Sequence, residues 1–470
     1  MSQSVYTYAD ISIAPYKFEK ILDLKIVKEL NNHSKLYIDG IVPEDTIDQY
    51  VECTDDNEKI EVSLKNKDKN TILFKGIVTN ISVQATGNVR KVAIEALSST
   101  FLMDVKKKTR SFQNKSTTYK EIFTKLTHEY PNADVIDEGS NGKSIGGLLV
   151  QYNETDWEFV RRLASHFNAP LIPDSKFDGV KYYIGVPKSA KTFDLEEFNY
   201  SVKKDLKSFK VKSENYINNL NEQDLISYEI LSNKVLDLCS KVNFKDRSLY
   251  VYKAEIEIQN SVFLNRYTLR EMKGLSRNKI YNSELTGVSL FGKILDVAKD
   301  TVKVQLDIDK KQSKGEAMWF PYSTVYSSPD GSGWYCMPEV GDKVRLYFPD
   351  QNEKNAFVAS SVNLASSNSQ KRSDPSVKSL GTKYGKQVVF KEGAVEIIGN
   401  GQLLVRLTDD GGIEINSNKK IVLSAEDDIE INGGAKILIE GKEGVDLTQA
   451  STNLKIKDNV TISGSKVNIE

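Results

Sequence analysis

Residues 413–447 repeat with a period of eight. Apolar pairs one residue apart, Ile413/Ile415, Ile421/Leu423, Ile429/Ile431, Ile437/Ile439 and Val445/Leu447, begin at 413, 421, 429, 437 and 445. In an extended chain residues i and i+2 share a face. Each pair therefore lies on one face, and Glu414, Val422, Glu430, Leu438 and Asp446 lie on the other. Asn416-Ser-Asn418, Asn432-Gly-Gly434 and Gly441-Lys-Glu-Gly444 stand between the pairs, residue types that bend a backbone at low steric cost. Each octad is one short strand ending in a corner, and one such strand encloses no core. The simplest closed solution is an intertwined triple-stranded β-helix. Three identical chains each supply a wall to every layer, and the Ile and Leu side chains meet on a threefold axis. An antiparallel meander with a turn every eight residues is the alternative. The phase extends back to Val405/Leu407 and, less cleanly, to Ile397 and Val389. Forwards it frays: Leu454/Ile456, Val460/Ile462 and Val467/Ile469 follow at uneven steps. The expected axis core is the run of pairs from Val405/Leu407 to Val445/Leu447, and Val460, Ile462, Val467 and Ile469 are the expected tip or cap-binding positions.

A chain of 470 residues exceeds one ordinary core. A formal net charge of -1 gives no global attraction to nucleic acid or anionic lipid, and no specific nucleic-acid partner is expected. Cys53, Cys239 and Cys336 are far apart and outside any C-x-x-C pattern, so neither a disulfide framework nor a zinc site is indicated. The first ten residues carry no basic n-region or apolar run, and no segment reaches 18 apolar residues. The expectation is synthesis in the cytoplasm without a signal peptide.

Residues 1–100 alternate short β-forming runs with turns, as in a first small barrel. Residues 101–205 change period. Ile122, Phe123 and Leu126 fall on one helical face, and Phe159, Val160, Leu163 and Phe167 on another, with Thr155 and Glu158 spaced as a capping box. This segment is an α/β insertion. Residues 206–285 return to strands as a second barrel-sized block. Residues 286–363 hold about five strands, the size of an OB-fold barrel, and 364–379 form a polar linker before the repeat at 380–470.

Several chemical motifs fail on spacing. Gly139-Ser-Asn-Gly-Lys-Ser144 is two residues short of a phosphate loop and reads as a turn. Lys106-Lys-Lys-Thr-Arg110 reads as a solvated loop rather than a phosphate contact. His166 has no nearby Cys or acid in sequence to form a nucleophilic pair, and Asp330-Gly-Ser-Gly333 lacks calcium-loop spacing. Trp157 and Trp334 read as core anchors. No catalytic or metal-binding residues and no cofactor are assigned.

Two motifs carry a resemblance. Gln151-Tyr-Asn-Glu-Thr-Asp-Trp-Glu-Phe-Val-Arg-Arg-Leu163 resembles the hub signature of VgrG-type spike proteins. Met318-Trp-Phe-Pro, Trp334 and Pro338-Glu-Val-Gly-Asp-Lys-Val344, with the closing Val362-Asn363, resemble their OB-fold. Together with the octads, the resemblance implies a mainly β fold: two hub β-barrels with an α/β insertion, an OB-fold and a trimeric β-helix needle. It also implies the non-enzymatic central spike of a contractile injection system, whether phage tail, tailocin, type VI-like or extracellular. The implied partners are an Hcp-like tube protein and baseplate proteins at the hub, effector cargo and the target cell envelope. A PAAR-like protein would cap the tip, or the tip would be bare. The short linker carries the expectation of no muralytic domain between OB-fold and needle, and no effector domain is expected after the needle. His33, His128 and His166 all lie outside the repeat, so the clustered His of some relatives' iron-binding tips is not expected. The competing reading is a trimeric phage fibre or depolymerase acting on surface polysaccharide, which would need paired carboxylates in a groove.

Overall fold

The computed structural model describes residues 6–44, 47–65, 70–196, 199–259, 262–364, 369–400, 402–456, 463, 465 and 466. The chain is mainly β and divides into two units, residues 1–364 and 365–470.

In the first unit, alternating apolar residues build strands β1 (Ile11–Ala14), β2 (Lys20–Glu29), β3 (Lys35–Ile41), β4 (Lys59–Leu64), β5 (Thr71–Thr86) and β6 (Val89–Leu97), with helix α1 (Ile47–Cys53) between β3 and β4. Leu24, Ile26, Ile38, Val62, Val92 and Ile94 meet in one core. The insertion comprises β7 (Lys108–Phe112), α2 (Tyr119–Thr127), β8 (Asp134–Asp137), β9 (Leu149–Glu154), α3 (Asp156–Ser165), β10 (Leu171–Pro173) and β11 (Lys181–Ile184). The apolar stripes read from sequence are its core: Ile122, Phe123, Leu126, Phe159, Val160 and Leu163 are all buried.

The second block begins earlier than residue 206. Strands β12 (Thr192–Asp194) and β13 (Tyr200–Lys204) precede helix α4 (Leu206–Asn215), then β14 (Ile226–Ser232), β15 (Lys241–Phe244), β16 (Arg247–Gln259) and β17 (Val262–Arg270). β13 pairs with β14 and β12 with β15, so 192–204 belong to this block rather than to the insertion. β2 pairs antiparallel with β16, aligning Ile26 with Ile256 and Lys28 with Ala254, so both hub blocks share one twelve-stranded sheet. The OB-fold follows as β18 (Ser289–Ala298), β19 (Thr301–Leu306), β20 (Trp319–Pro321), β21 (Lys343–Tyr347) and β22 (Phe357–Ser361), in the order β20-β19-β18-β21-β22. A parallel bridge from Tyr322 to Val358 brings the two edges together and closes the barrel.

The second unit opens with β23 (Lys378–Gly381), β24 (Gln387–Lys391), β25 (Ala394–Asn400), β26 (Leu403–Thr408) and β27 (Gly412–Asn416), paired in chain order as an antiparallel meander. Here the eight-residue beat runs through hairpins within one chain. The spacing permits either outcome, since a five-residue strand and a three-residue turn also sum to one period. Gly393 and Gly412, at φ of 68° and 73°, take the left-handed conformation that tight turns need. Residues 417–444 form no strand with any other described segment of the chain, and β28 (Val445–Gln449) with β29 (Thr452–Ile456) closes as one further hairpin. The expected tip residues Val460, Ile462, Val467 and Ile469 lie outside the described residues.

Candidate functional site

The segment 151–163 is built as a clamp. Thr155 caps α3: its hydroxyl accepts from the Glu158 amide at 3.1 Å, and the Glu158 carboxylate accepts from the Thr155 amide at 2.9 Å, completing the capping box. Thr155 also donates to Asp104 at 2.5 Å. Trp157 is buried, its ring tilted by 35° against that of His33 at 4.6 Å and set edge-on to Tyr182. Asp156, fully buried, accepts from Lys108 Nζ at 2.5 Å, Tyr130 Oη at 2.6 Å and Gln151 Nε2 at 3.0 Å, and pairs with Arg110. Burial pushes its carboxyl up, but these donors more than offset that and hold it below the ordinary carboxylate range. Lys108 and Arg110 are therefore tied into the insertion, correcting the expectation of a solvated loop at 106–110.

Arg162 joins the insertion to the OB-fold. It is 1% exposed and donates to both Glu154 oxygens at 2.8 Å, to Glu353 Oε1 at 2.6 Å and to the Val150 carbonyl at 2.7 Å. Burial lowers its basicity, yet the two carboxylates outweigh this and raise it. Glu353 sits in a single 3-10 turn, Glu353–Asn355, before β22. β9 serves two cores by the period-two rule. Leu149 faces the insertion, while Leu148 and Val150 pack with Leu290, Val304 and Phe348 of the OB-fold. Ser111 and Gln113 complete the seam: the Ser111 amide donates to Asp309 at 2.8 Å, and Gln113 Nε2 to the Val304 carbonyl at 3.1 Å.

The other singled-out residues are structural or exposed. The 139–144 segment is a turn in which Asp137 Oδ1 accepts from the Gly139 and Ser140 amides at 3.0 and 2.9 Å. The 330–333 segment is likewise a turn, in which Asp330 Oδ1 accepts from the Ser332 amide at 2.9 Å. Trp334 is not a core anchor. It is 49% exposed beside exposed Tyr335, on the long loop between β20 and β21. The loop that carries it runs over the barrel surface, mostly exposed, so the indole has no second layer to pack under. Among the described residues no cluster of three or more His, Cys, Asp or Glu side chains is placed to hold a metal ion, and no helix is long and apolar enough to cross a membrane.

His166 Nδ1 lies 3.0 Å from the Tyr119 hydroxyl. Burial, then Arg162, Lys279 and Lys354, push its imidazole down to about 3. Because the folded value lies below the unfolded one, the contribution is intact above about pH 6.5 and is lost as pH falls towards 3. The slope should reach about 1.4 kcal/mol per pH unit. Urea unfolding of His166→Gln should show a shallower loss of stability between pH 6.5 and 5 than the parent chain.

The meander presents two unlike faces. On one, Glu396 accepts from Arg406 Nε at 2.8 Å and pairs with Lys391 at 2.7 Å, and Arg406 reaches Glu414 at 3.2 Å. The other is mainly apolar: cross-strand partners place Phe390, Val395, Leu407 and Ile413 in one row, with Lys378 at its β23 end, and Leu380, Val388, Ile397, Val405 and Ile415 in the next. Within the chain that face is uncovered, with Ile413 73% exposed. The octads behave alike. Ile421, Leu423, Ile429, Ile431, Ile437 and Ile439 are all at least half exposed, and Val445 and Leu447 share a face of the last hairpin with Ile456 and Leu454. Every predicted axis residue thus falls on an apolar surface that its own chain leaves bare or only partly covered.

Residues 57–167 match the phage tail baseplate hub (GPD) family, and 292–362 match the type VI secretion system/phage-baseplate injector OB domain. The chain carries both domains. No curated protein matches it in sequence. Among solved structures it is similar to the E. coli c3393 protein, described as a type VI secretion component resembling the T4 bacteriophage tail proteins gp27 and gp5. The TM-score is 0.54 at 12% identity, over 75% of this chain and 99% of that one. It is also similar to a chain of the lidded Francisella PdpA–VgrG complex, with TM-score 0.56 at 11% identity over 86% and 79%, and to the lidless form at 0.55 and 12% over 85% and 94%. The fold is that of VgrG-type hub and OB-fold proteins.

Proposed function

We propose that three copies of this chain form the central spike of a contractile injection apparatus. The hub would be seated among baseplate proteins and the end of an Hcp-like tube, and the second unit would form a needle driven into a target envelope on contraction. The observation that carries this reading is the second unit's uncovered apolar surface. A sheet with one apolar face needs a second layer, and isolated octads need neighbouring walls. Threefold association supplies both at once, placing Val405, Leu407, Ile413, Ile415 and the later pairs on the axis. Each Ile or Leu then removed from water contributes about 1.5–3 kcal/mol. The hub and injector OB domains support placement at a baseplate, and the likeness to a VgrG solved with PdpA supports a protein partner on such a spike. A PAAR-like cap at the tip and effector cargo belong to the same reading. The role is mechanical rather than catalytic: of the signature residues, Gln151 and Asp156 are taken up in bonds within the insertion, and Glu154 and Arg162 in tying it to the OB-fold through Glu353.

Native mass measurement of the full chain at micromolar concentration should give three times 52.8 kDa. A monomer there would overturn the proposal.

A further inference from the structure

Strand β2 directs Leu24, Ile26, Lys28 and the following Leu30 inward in strict alternation, and all four are buried. A lysine in such a row would ordinarily be ion-paired. Lys28 is 5% exposed, yet among the described residues its ammonium has no hydrogen-bond or ion-pair partner. It lines a cavity of about 210 Å³ where the first hub strands, the insertion and the second block meet. Ser175, 2% exposed, lines the same cavity, and its hydroxyl is also without a partner. Of the two acids in the lining, Asp237 is already paired with Lys176 at 2.6 Å, and Asp174 accepts from the Lys176 amide at 3.0 Å. The lining as a whole sets Lys28, Lys176 and Lys191 against Asp174 and Asp237, an excess of one positive charge.

We propose that this cavity is a binding site for a small oxyanion, a carboxylate or phosphate group, held by the Lys28 ammonium and the Ser175 hydroxyl. An ammonium and a hydroxyl lining one space of this size, each without a protein partner, match the two oxygens of such a group, and one net positive charge suits a monoanion. Burial lowers the Lys28 amine to about 8, with Asp237 offsetting only part of that loss, so a bound anion would supply the missing countercharge. The site is independent of the trimeric assembly proposed above. Its distinguishing mark is a cation in an inward-facing row, which sequence alternation alone displays but does not explain.

The full-length chain is titrated at pH 7 with sodium acetate, with sodium phosphate and, as the ionic-strength control, with sodium chloride, by calorimetry and thermal unfolding. Saturable binding of acetate or phosphate beyond the chloride effect is expected, and the tighter of the two identifies the source as carboxylate or phosphate. Lys28→Met should weaken it by about tenfold to a hundredfold while keeping the circular-dichroism spectrum of the parent. Should that variant fail to fold, Ser175→Ala retains the cation and should weaken binding by roughly fivefold. Absence of saturable binding in the parent, or unchanged affinity in the folded Lys28→Met or in Ser175→Ala, overturns the assignment.

Discussion

Replacing Ile431 by Asp is expected to abolish trimers. At this position the proposed threefold axis brings three carboxylates together in a dry core. Each loses the burial of an isoleucine, about 1.5–3 kcal/mol, and adds an effective desolvation penalty of several kcal/mol per ion. Protonation lowers that penalty without removing it, because a buried neutral carboxyl still lacks hydrogen-bond partners on an axis of Ile and Leu. Symmetry multiplies the cost by three, so the effect should exceed that of an ordinary core substitution. Ile429→Asp should act alike. Glu430→Ala is the matched control: it lies between these two positions and on the opposite face of the strand, so trimer mass should be unchanged. Sedimentation of all three variants decides the matter. A trimeric Ile431→Asp with the thermal resistance of the parent would show that the paired residues do not face the axis.

The second large effect concerns Arg162→Met. Methionine fills a similar volume but leaves Glu154 and Glu353, 8% and 6% exposed, without their shared cation. Removing one partner from a buried ion pair typically costs about 3–5 kcal/mol, because the remaining charge stays desolvated. Burial already pushes the Glu154 carboxyl up, and only Arg162 and its lesser companions oppose it. In the variant the folded state should bind protons that the unfolded state does not, so the deficit is largest at pH 8 and shrinks as pH falls towards 5. Chemical unfolding at both pH values checks this. A deficit under about 1 kcal/mol, or one independent of pH, would mean that Arg162 does not bridge hub and OB-fold through these carboxylates.

Much of this fold was legible because side-chain period reports local geometry. The helical stripes at Ile122–Leu126 and Phe159–Leu163, the Thr155/Glu158 box and the five OB strands all follow from spacings of two, three or four residues. Pairings across long separations did not follow. Nothing near Lys108 or Arg110 announces Asp156, and nothing near Arg162 announces Glu353, 191 residues away. The likeness of the two hub blocks in size did not reveal that β2 and β16 fuse them into one sheet.

The octads mark the boundary most clearly. The sequence determined which side chains share a face, since alternation in an extended chain depends only on the chain itself. Which surface covers that face was beyond it. An eight-residue beat serves a hairpin as well as a prism wall, and the tertiary structure decided for hairpins between 378 and 416, where glycines at 393 and 412 let the chain reverse on itself. From 417 to 444 no such pairs form among the described residues, and the isoleucines and leucines there stand open. The difference is physical: facing is fixed by the covalent geometry of neighbours, whereas burial depends on whatever surface lies opposite, and that surface is written elsewhere in the chain or in another copy of it.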